Sequence, residues 1–337
     1  MLPSRTSACI LGCSGPVLQA DEKAFFTANQ PLGFILFKRN IKAADQLRGL
    51  CDELRASVGW QAPILIDQEG GRVQRLRPPL ARDFLPPLTQ TNRAGSLAQR
   101  AMSLRFSIIA VELQAVGIDV NCAPLADIAY PETHRFLRNR CYGENLAQVV
   151  PLARAAANGL LAGGVLPVLK HIPGHGQAQV DSHLSLPMVE TCAADLIAQD
   201  FAAFKGLNDL PMAMTAHVVY SAFDECPATI SGPMLKIMRE QIGFSGLIMT
   251  DDISMQALPG CLPDRATKAL AAGCDVVLHC TGILQEMVEV VARSGCLNAA
   301  ARQRAEVALS YRGVGDIVDI SDLEAQFSSL FVEQSDD

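Results

Sequence analysis

GLIMTDD, residues 246–252, is an apolar run of strand length that closes on a threonine and two aspartates. Seven other short apolar runs punctuate the chain: ACILGC (8–13), LGFILF (32–37), PILIDQ (63–68), DVNCAPLAD (119–127), VLPVLKH (165–171), PMAMTAHV (211–218) and CDVVLHC (274–280). They are apolar along their length rather than alternating, the pattern of parallel strands covered on both faces. Between them lie Ala- and Leu-rich stretches of helical character at 43–58, 96–116, 145–163, 192–207, 231–242, 265–273 and 283–295. Strands alternating with helices in this way predict an α/β fold. Eight such units point to a closed (β/α)₈ barrel of the TIM type, with a doubly wound open sheet as the alternative. No low-complexity linker divides the chain, so one catalytic domain is expected over residues 1–337, ending in a surface tail after about residue 312. The Pro-rich stretch RLRPPLARDFLPPL (75–88) is expected to be a long ordered loop.

The ends of the runs carry the charge. Asp67 and Glu69 close the third, Asp127 the fourth, Lys170 and His171 the fifth, His217 the sixth, and Asp251 and Asp252 the seventh. In a parallel barrel these positions surround one mouth, where active sites are built. Buried ionised groups there need partners or a chemical task.

Composition narrows the function. The 337 residues are 49% hydrophobic, enough for a large core. A formal charge of −7 argues against nucleic acid or an anionic membrane as partner. No run of about 18 apolar residues is present, so no spanning helix is expected. The start, MLPSRTSACILGCSG, lacks the pattern of a secretion signal. Eleven cysteines, none in CxxC spacing, read as reduced thiols filling core space in a cytoplasmic protein.

KHIPGHGQAQVDSH, residues 170–183, gathers three of the six histidines. His171 and His175 have the spacing of a helical zinc motif, but Pro173, Gly174 and Gly176 break any helix there. A loop bringing His171, His175, Asp181 and His183 around one ion is the metal reading. A proton relay fits better. Asp181 and His183 stand two apart and can face the same way in extended chain. A carboxylate beside an imidazole fixes its tautomer, and such a pair can give and take a proton. The two glycines of GHGQAQ would let that pair move over a substrate. At the end of the seventh run Asp251 can act as a nucleophile toward a sugar's anomeric carbon. Neighbouring strand residues point to opposite sides, so Asp252 competes for the role, and the residues alone leave the choice open. In PILIDQEGGRVQRL (63–76), Asp67 can accept from sugar hydroxyls, Arg75 can clamp the sugar or hold Asp67, and Arg72 reads as a solvated or structural charge.

IDQEGGRVQRL (66–76), KHIPGHGQAQVDSH (170–183), MTAHVVYSAFD (214–224) and MTDDISM (249–255), in this order, resemble glycoside hydrolase family 3, in particular its bacterial β-N-acetylhexosaminidases of the NagZ type. The resemblance implies Asp251 as nucleophile and His183 as acid/base assisted by Asp181. It implies Asp67, Arg75, Lys170 and His171 as sugar-binding residues, and Arg140 in NRCYGENL (139–146) as another. It further implies a sugar substrate, N-acetylglucosamine at the non-reducing end of anhydro-muramyl peptides, in peptidoglycan recycling. No cofactor and no metal are expected. A β-glucosidase of the same family, a metal-dependent barrel hydrolase using His171, His175 and His183, and a non-catalytic sugar-binding barrel are the rival functions. Ile172 and Ile253 depart from the family's commoner aromatic and leucine, and the loop YPETHRFLRNR (130–140) is less familiar. The family's second α/β domain is not expected after the barrel, which would suit its single-domain subgroup.

Overall fold

All eight apolar runs contribute a strand to one closed parallel barrel in the computed structural model of the chain, which describes residues 2–180, 186–313 and 319–331. The strands are β1 (Ser7–Gly12), β2 (Pro31–Leu36), β3 (Ile64–Ile66), β4 (Val120–Asn121), β5 (Leu166–Ile172), β6 (Met212–Thr215), β7 (Leu247–Asp252) and β8 (Val276–His279). Closure comes from β1 on β8, with Cys9 opposite Val277 and Leu11 opposite His279. The open-sheet alternative is thereby excluded, and the fold is a TIM-type (β/α)₈ barrel.

Period-two alternation explains why the runs are apolar throughout. Ile10, Leu65, Val168, Met212, Met249 and Leu278 belong to the cluster filling the barrel. Their neighbours Cys9, Leu11, Ile64, Ile66, Leu169, Ala213, Ile248 and Val277 pack outward against the helices. Both faces of each strand are therefore dry. The fourth run is strand only at Val120–Asn121, because Pro124 has no N–H for the ladder. The chain nevertheless stays in register beyond it: Lys170 N donates to Pro124 O at 3.0 Å and Ala126 N to Lys170 O at 2.9 Å.

The outer layer consists of α1 (Ala20–Asn29), α2 (Ala44–Val58), α3 (Ala98–Gln114), α4 (Leu146–Ala162), α5 (Asp200–Lys205), α6 (Gly232–Glu240), α7 (Leu262–Ala272) and α8 (Leu284–Ser294). Side-chain caps start two of them: Asn145 Oδ1 accepts from Gln148 N at 3.0 Å, and Ser231 Oγ from Met234 N at 3.1 Å. Helices α3 and α4 lie close because α4 carries Gly159, where a Cβ would fall 2.5 Å from Ser103 O. The helix expected over 192–207 breaks at Gln199 (φ −116°, ψ −81°), and the side chain of Asp200 turns inward.

The pattern missed α1 and a short helix at Pro87–Ala94, and two further helices near the end of the chain. α9 (Ala299–Ser310) puts only small residues, Ala301, Ala305 and Ala308, into the barrel-filling cluster beside Leu2 and Leu297. It closes the end where the strands begin: Arg304 pairs with Asp275 just before β8, and Arg312, just beyond α9, with Asp119 just before β4. α10 (Ile320–Ser329) corrects the expected tail beyond residue 312. Leu323 and Phe327, four apart, form a buried face, and the Phe327 ring meets Phe84 edge-on at 5.4 Å. Among the described residues no helix is long and apolar enough to cross a membrane. All eleven cysteines are free thiols, seven of them buried.

Candidate active site

At the carboxyl ends of the strands a cavity of about 210 Å³ opens. That is small beside the roughly 300–1,000 Å³ of pockets for drug-sized ligands. Polar groups from three strand ends line it: Asp67 after β3, Lys170 and His171 in β5, Asp251 in β7, with Arg75 and Arg140 from loops. Ile35, Phe37, Met214 and Leu278 supply apolar wall.

The deepest polar element is a chain of ion pairs. Asp67 Oδ1 accepts from Lys170 Nζ at 2.9 Å and its Oδ2 from Arg75 Nη2 at 3.0 Å. The same ammonium lies 2.7 Å from Glu69 Oε1. Glu69 is also gripped by Arg140 through two parallel bonds, Nε to Oε2 at 2.9 Å and Nη2 to Oε1 at 2.8 Å. Burial by itself would raise both carboxyls. The Lys170 and Arg75 cations outweigh it at Asp67, which is held well below the usual carboxylate range. The Arg140 and Lys170 cations outweigh it at Glu69, which falls to about 2. Burial likewise disfavours the Lys170 cation, but Asp67 and Glu69 hold it firmly protonated. Both acids, Lys170 and Arg140 are therefore charged at neutral pH, and the four groups Asp67, Arg75, Lys170 and Arg140 reach the cavity with fixed orientation.

Local backbone makes this possible. Asp67 and Glu69 stand two apart at the start of a short antiparallel ribbon, Gln68–Gly70 with Val73–Gln74. Gly70 turns with φ +96°, and a Cβ there would lie 1.9 Å from Arg105 Nη2. Arg105, buried without a carboxylate partner among the described residues, donates to Glu69 O, Leu85 O and Gln90 Oε1 and sits over the Phe84 ring.

A second group centres on Asp127, which is fully buried. Its Oδ2 lies 2.8 Å from His171 Nδ1 and its Oδ1 accepts from His175 N at 2.6 Å. Burial raises this carboxyl, but the His171 imidazole and the His175 ring and N–H bring it below its ordinary value. A carboxylate accepts only, so Nδ1 of His171 carries the proton; the ring lines the cavity. His175 also lines the cavity, and burial beside His171 drops it to about 4, a neutral ring at pH 7.

The two adjacent aspartates separate cleanly. Asp252 is spent on its own turn: Oδ1 accepts from Ser254 N at 3.0 Å and Cys280 N at 3.2 Å, and Oδ2 from Ser254 Oγ at 2.6 Å. Asp251 accepts only from Asp252 N, through Oδ1 at 2.8 Å, and its Oδ2 has no hydrogen-bond partner among the described residues. Burial would raise it. The His217 and His171 imidazoles, the Asp252 N–H and the Lys170 cation keep it below the usual carboxylate range. His217 is a satisfied buried histidine with a positioning task. Its Nε2 donates to Asp252 O at 3.0 Å, and its Nδ1 lies 2.7 Å from Thr229 Oγ1. Burial favours its neutral form, and the ring ties β6 to the end of β7.

Of the expected residues, Asp67, Arg75, Arg140, Lys170, His171 and Asp251 meet in this one cavity. Asp181 and His183 lie outside the described residues. Glu69 and Asp127 were noted at strand ends but not assigned to the site. Glu69 had a signal, its i,i+2 spacing from Asp67. Asp127 had only its charge at the end of an apolar run. Arg72, expected to be a solvated or structural charge, reaches the cavity rim and donates to Phe136 O at 2.6 Å. Among the described residues no three His, Cys, Asp or Glu side chains are grouped to hold a metal ion.

A family model described as the glycosyl hydrolase family 3 N-terminal domain matches residues 15–308. A β-hexosaminidase of Alkalilimnicola ehrlichii is 37% identical over 278 residues, 80% of this chain and 80% of that protein. A β-hexosaminidase of Methylococcus capsulatus is 38% identical over 272 residues, 79% of this chain and 80% of that protein. The crystal structure of NagZ from Neisseria gonorrhoeae in complex with N-trifluoroacetyl-D-glucosamine is similar with a TM-score of 0.87 at 29% identity, covering 98% of this chain and all of the other.

Proposed function

The chain belongs to glycosyl hydrolase family 3, and from that membership we propose a retaining β-N-acetylglucosaminidase acting on cell-wall fragments. The substrate is a non-reducing terminal N-acetylglucosamine on an anhydro-muramyl peptide, and the setting is peptidoglycan recycling in the cytoplasm. Relatives named β-hexosaminidase and a neighbour holding an N-acylated glucosamine support the sugar. Eleven unpaired thiols suit a reducing compartment.

One observation carries the mechanism. Asp251 is an ionised carboxylate with one oxygen uncommitted among the described residues, in the same cavity as the Asp67 carboxylate that Lys170 and Arg75 pin in place. Asp67, Arg75, Arg140, Lys170 and His171 hold the sugar and orient C1. Asp251 attacks C1 while His183, protonated and steered by Asp181, gives its proton to the departing oxygen. The oxocarbenium-like transition state gains from the nearby carboxylate. Neutral His183 then takes a proton from water, which opens the glycosyl ester, and the configuration at C1 is retained.

The test is incubation with 2-acetamido-2-deoxy-5-fluoro-glucosyl fluoride, followed by peptide mapping. A sugar ester on Asp251 is the expected result. An ester on Asp252 or another carboxylate overturns the nucleophile. No ester, with activity lost to a chelator and restored by zinc, supports the metal-dependent rival. A higher kcat/KM for an aryl β-glucoside than for the N-acetylglucosaminide overturns the sugar.

A further inference from the structure

Between Gln177 and Thr191 the chain carries Asp181 and His183, so the place of that pair depends on how the two ends of the segment are held. Three side chains tie the ends together. Gln177 Oε1 accepts from Thr191 Oγ1. Gln177 Nε2 donates to Asp200 Oδ2 at 2.6 Å. The same Asp200 oxygen accepts from Tyr130 OH at 3.0 Å, which brings in the loop after β4. Asp200 is only 1% exposed, and it stands where the helix expected over 192–207 breaks. The backbone just before Gln177 is fastened too. Tyr220 OH donates to Gly174 O, and Thr133 Oγ1 to Gly176 O at 2.5 Å. Gly174 packs directly on Asp200, since a Cβ there would fall 2.9 Å from Asp200 Cβ.

A buried carboxyl without a cation partner costs stability unless its hydrogen bonds serve a purpose. Asp200 does not line the sugar cavity, and its two donors belong to the segment leaving β5 and the loop after β4. We propose that Gln177, Thr191 and Asp200 form a staple that positions His183 for proton transfer, Asp200 being the residue on which the staple is anchored. The proposal rests on the assignment of His183 as acid/base made above. What the staple needs from Asp200 is an acceptor at Oδ2. Its Oδ1 is buried with no hydrogen-bond partner among the described residues, and burial raises the carboxyl to about 6. Asparagine would keep the acceptor and put its NH₂ where no bond is lost.

The test compares D200A, D200N, Q177L and H183A on two aryl β-N-acetylglucosaminides, one with a 2,4-dinitrophenyl and one with a phenyl leaving group. kcat/KM reports the step that releases the aryl group. Phenol departs well only when protonated, whereas dinitrophenolate departs unaided. D200A and Q177L are expected to lose roughly 10- to 100-fold on the phenyl substrate and less than about 2-fold on the other, as a displaced acid should. D200N should recover most of the loss. Equal losses on both substrates, or none on either, overturn the staple. H183A run alongside separates the two assignments. If it shows the leaving-group split and Q177L does not, the staple alone fails; if H183A shows no split, the acid/base assignment fails and the staple with it. Q177L, at a half-buried position, keeps the test open should D200A not fold.

Discussion

Replacing Glu69 by glutamine keeps the shape of a buried side chain and deletes one charge from the network under the sugar site. Glu69 has no exposed surface and binds Arg140 twice, at 2.8 and 2.9 Å, and Lys170 at 2.7 Å. Its fall from 4.5 to about 2 corresponds to about 3 kcal/mol of folding free energy. Breaking a buried pair from one side costs about 3–5 kcal/mol, an independent figure of the same size. At roughly 2.1 cal/mol/K per residue, unfolding entropy for this chain is about 0.7 kcal/mol/K, so E69Q should lower Tm by about 4 °C at pH 7. The pH dependence has a definite sign. The folded-state value lies below the unfolded one, so the contribution of Glu69 is complete above about pH 4.5 and fades as pH falls toward 2. Scanning calorimetry of both proteins from pH 7 to pH 3 should show the gap narrowing. A gap under about 1 °C at pH 7, or one that widens on acidification, refutes the idea that Glu69 is held ionised by Arg140 and Lys170.

Asp127→Asn leaves one acceptor oxygen for two donors, His171 Nδ1 and His175 N, which frees the His171 tautomer, and should lower kcat/KM by about 10- to 100-fold with the fold intact by circular dichroism. Asp252→Asn weakens the turn closed by Ser254 and Cys280, and should cost about 1–2 kcal/mol in urea unfolding while turnover stays within about 10-fold of the parent. Asp251→Asn should lower turnover by at least about 10³-fold with little change in the urea midpoint, the outcome required of the proposed nucleophile. Gly70→Ala puts a Cβ 1.9 Å from Arg105 Nη2 at φ +96°, and should cost more than about 3 kcal/mol, read as loss of soluble protein or a sharply lower urea midpoint.

The barrel was legible because it needs little more than a period. Strands dry on both faces must be apolar throughout, and helices between them must be longer, so the alternation of GLIMTDD-like runs with Ala- and Leu-rich stretches implies the topology. Where the pattern thins, prediction fails for identifiable reasons. α9 buries alanines, which carry almost no hydrophobic signal. α10 owes its place to Phe84 and α3, which lie more than 200 residues away in the chain. The break at Gln199 follows from a buried carboxyl finding partners on two other loops.

Residue types and their positions at strand ends were determined by the sequence alone: which side chains could reach the mouth, and that carboxylates, cations and imidazoles would gather there. Only the tertiary structure decided their division of labour. Asp251 and Asp252 are chemically identical neighbours; Ser254 and Cys280 occupy one and leave an oxygen of the other uncommitted. Glu69 and Asp127 became part of the site when Arg140, Lys170 and His171 arrived from distant segments. A role of this kind is a property of which donor stands within about 3 Å of which oxygen, and a linear pattern carries no distances across the chain.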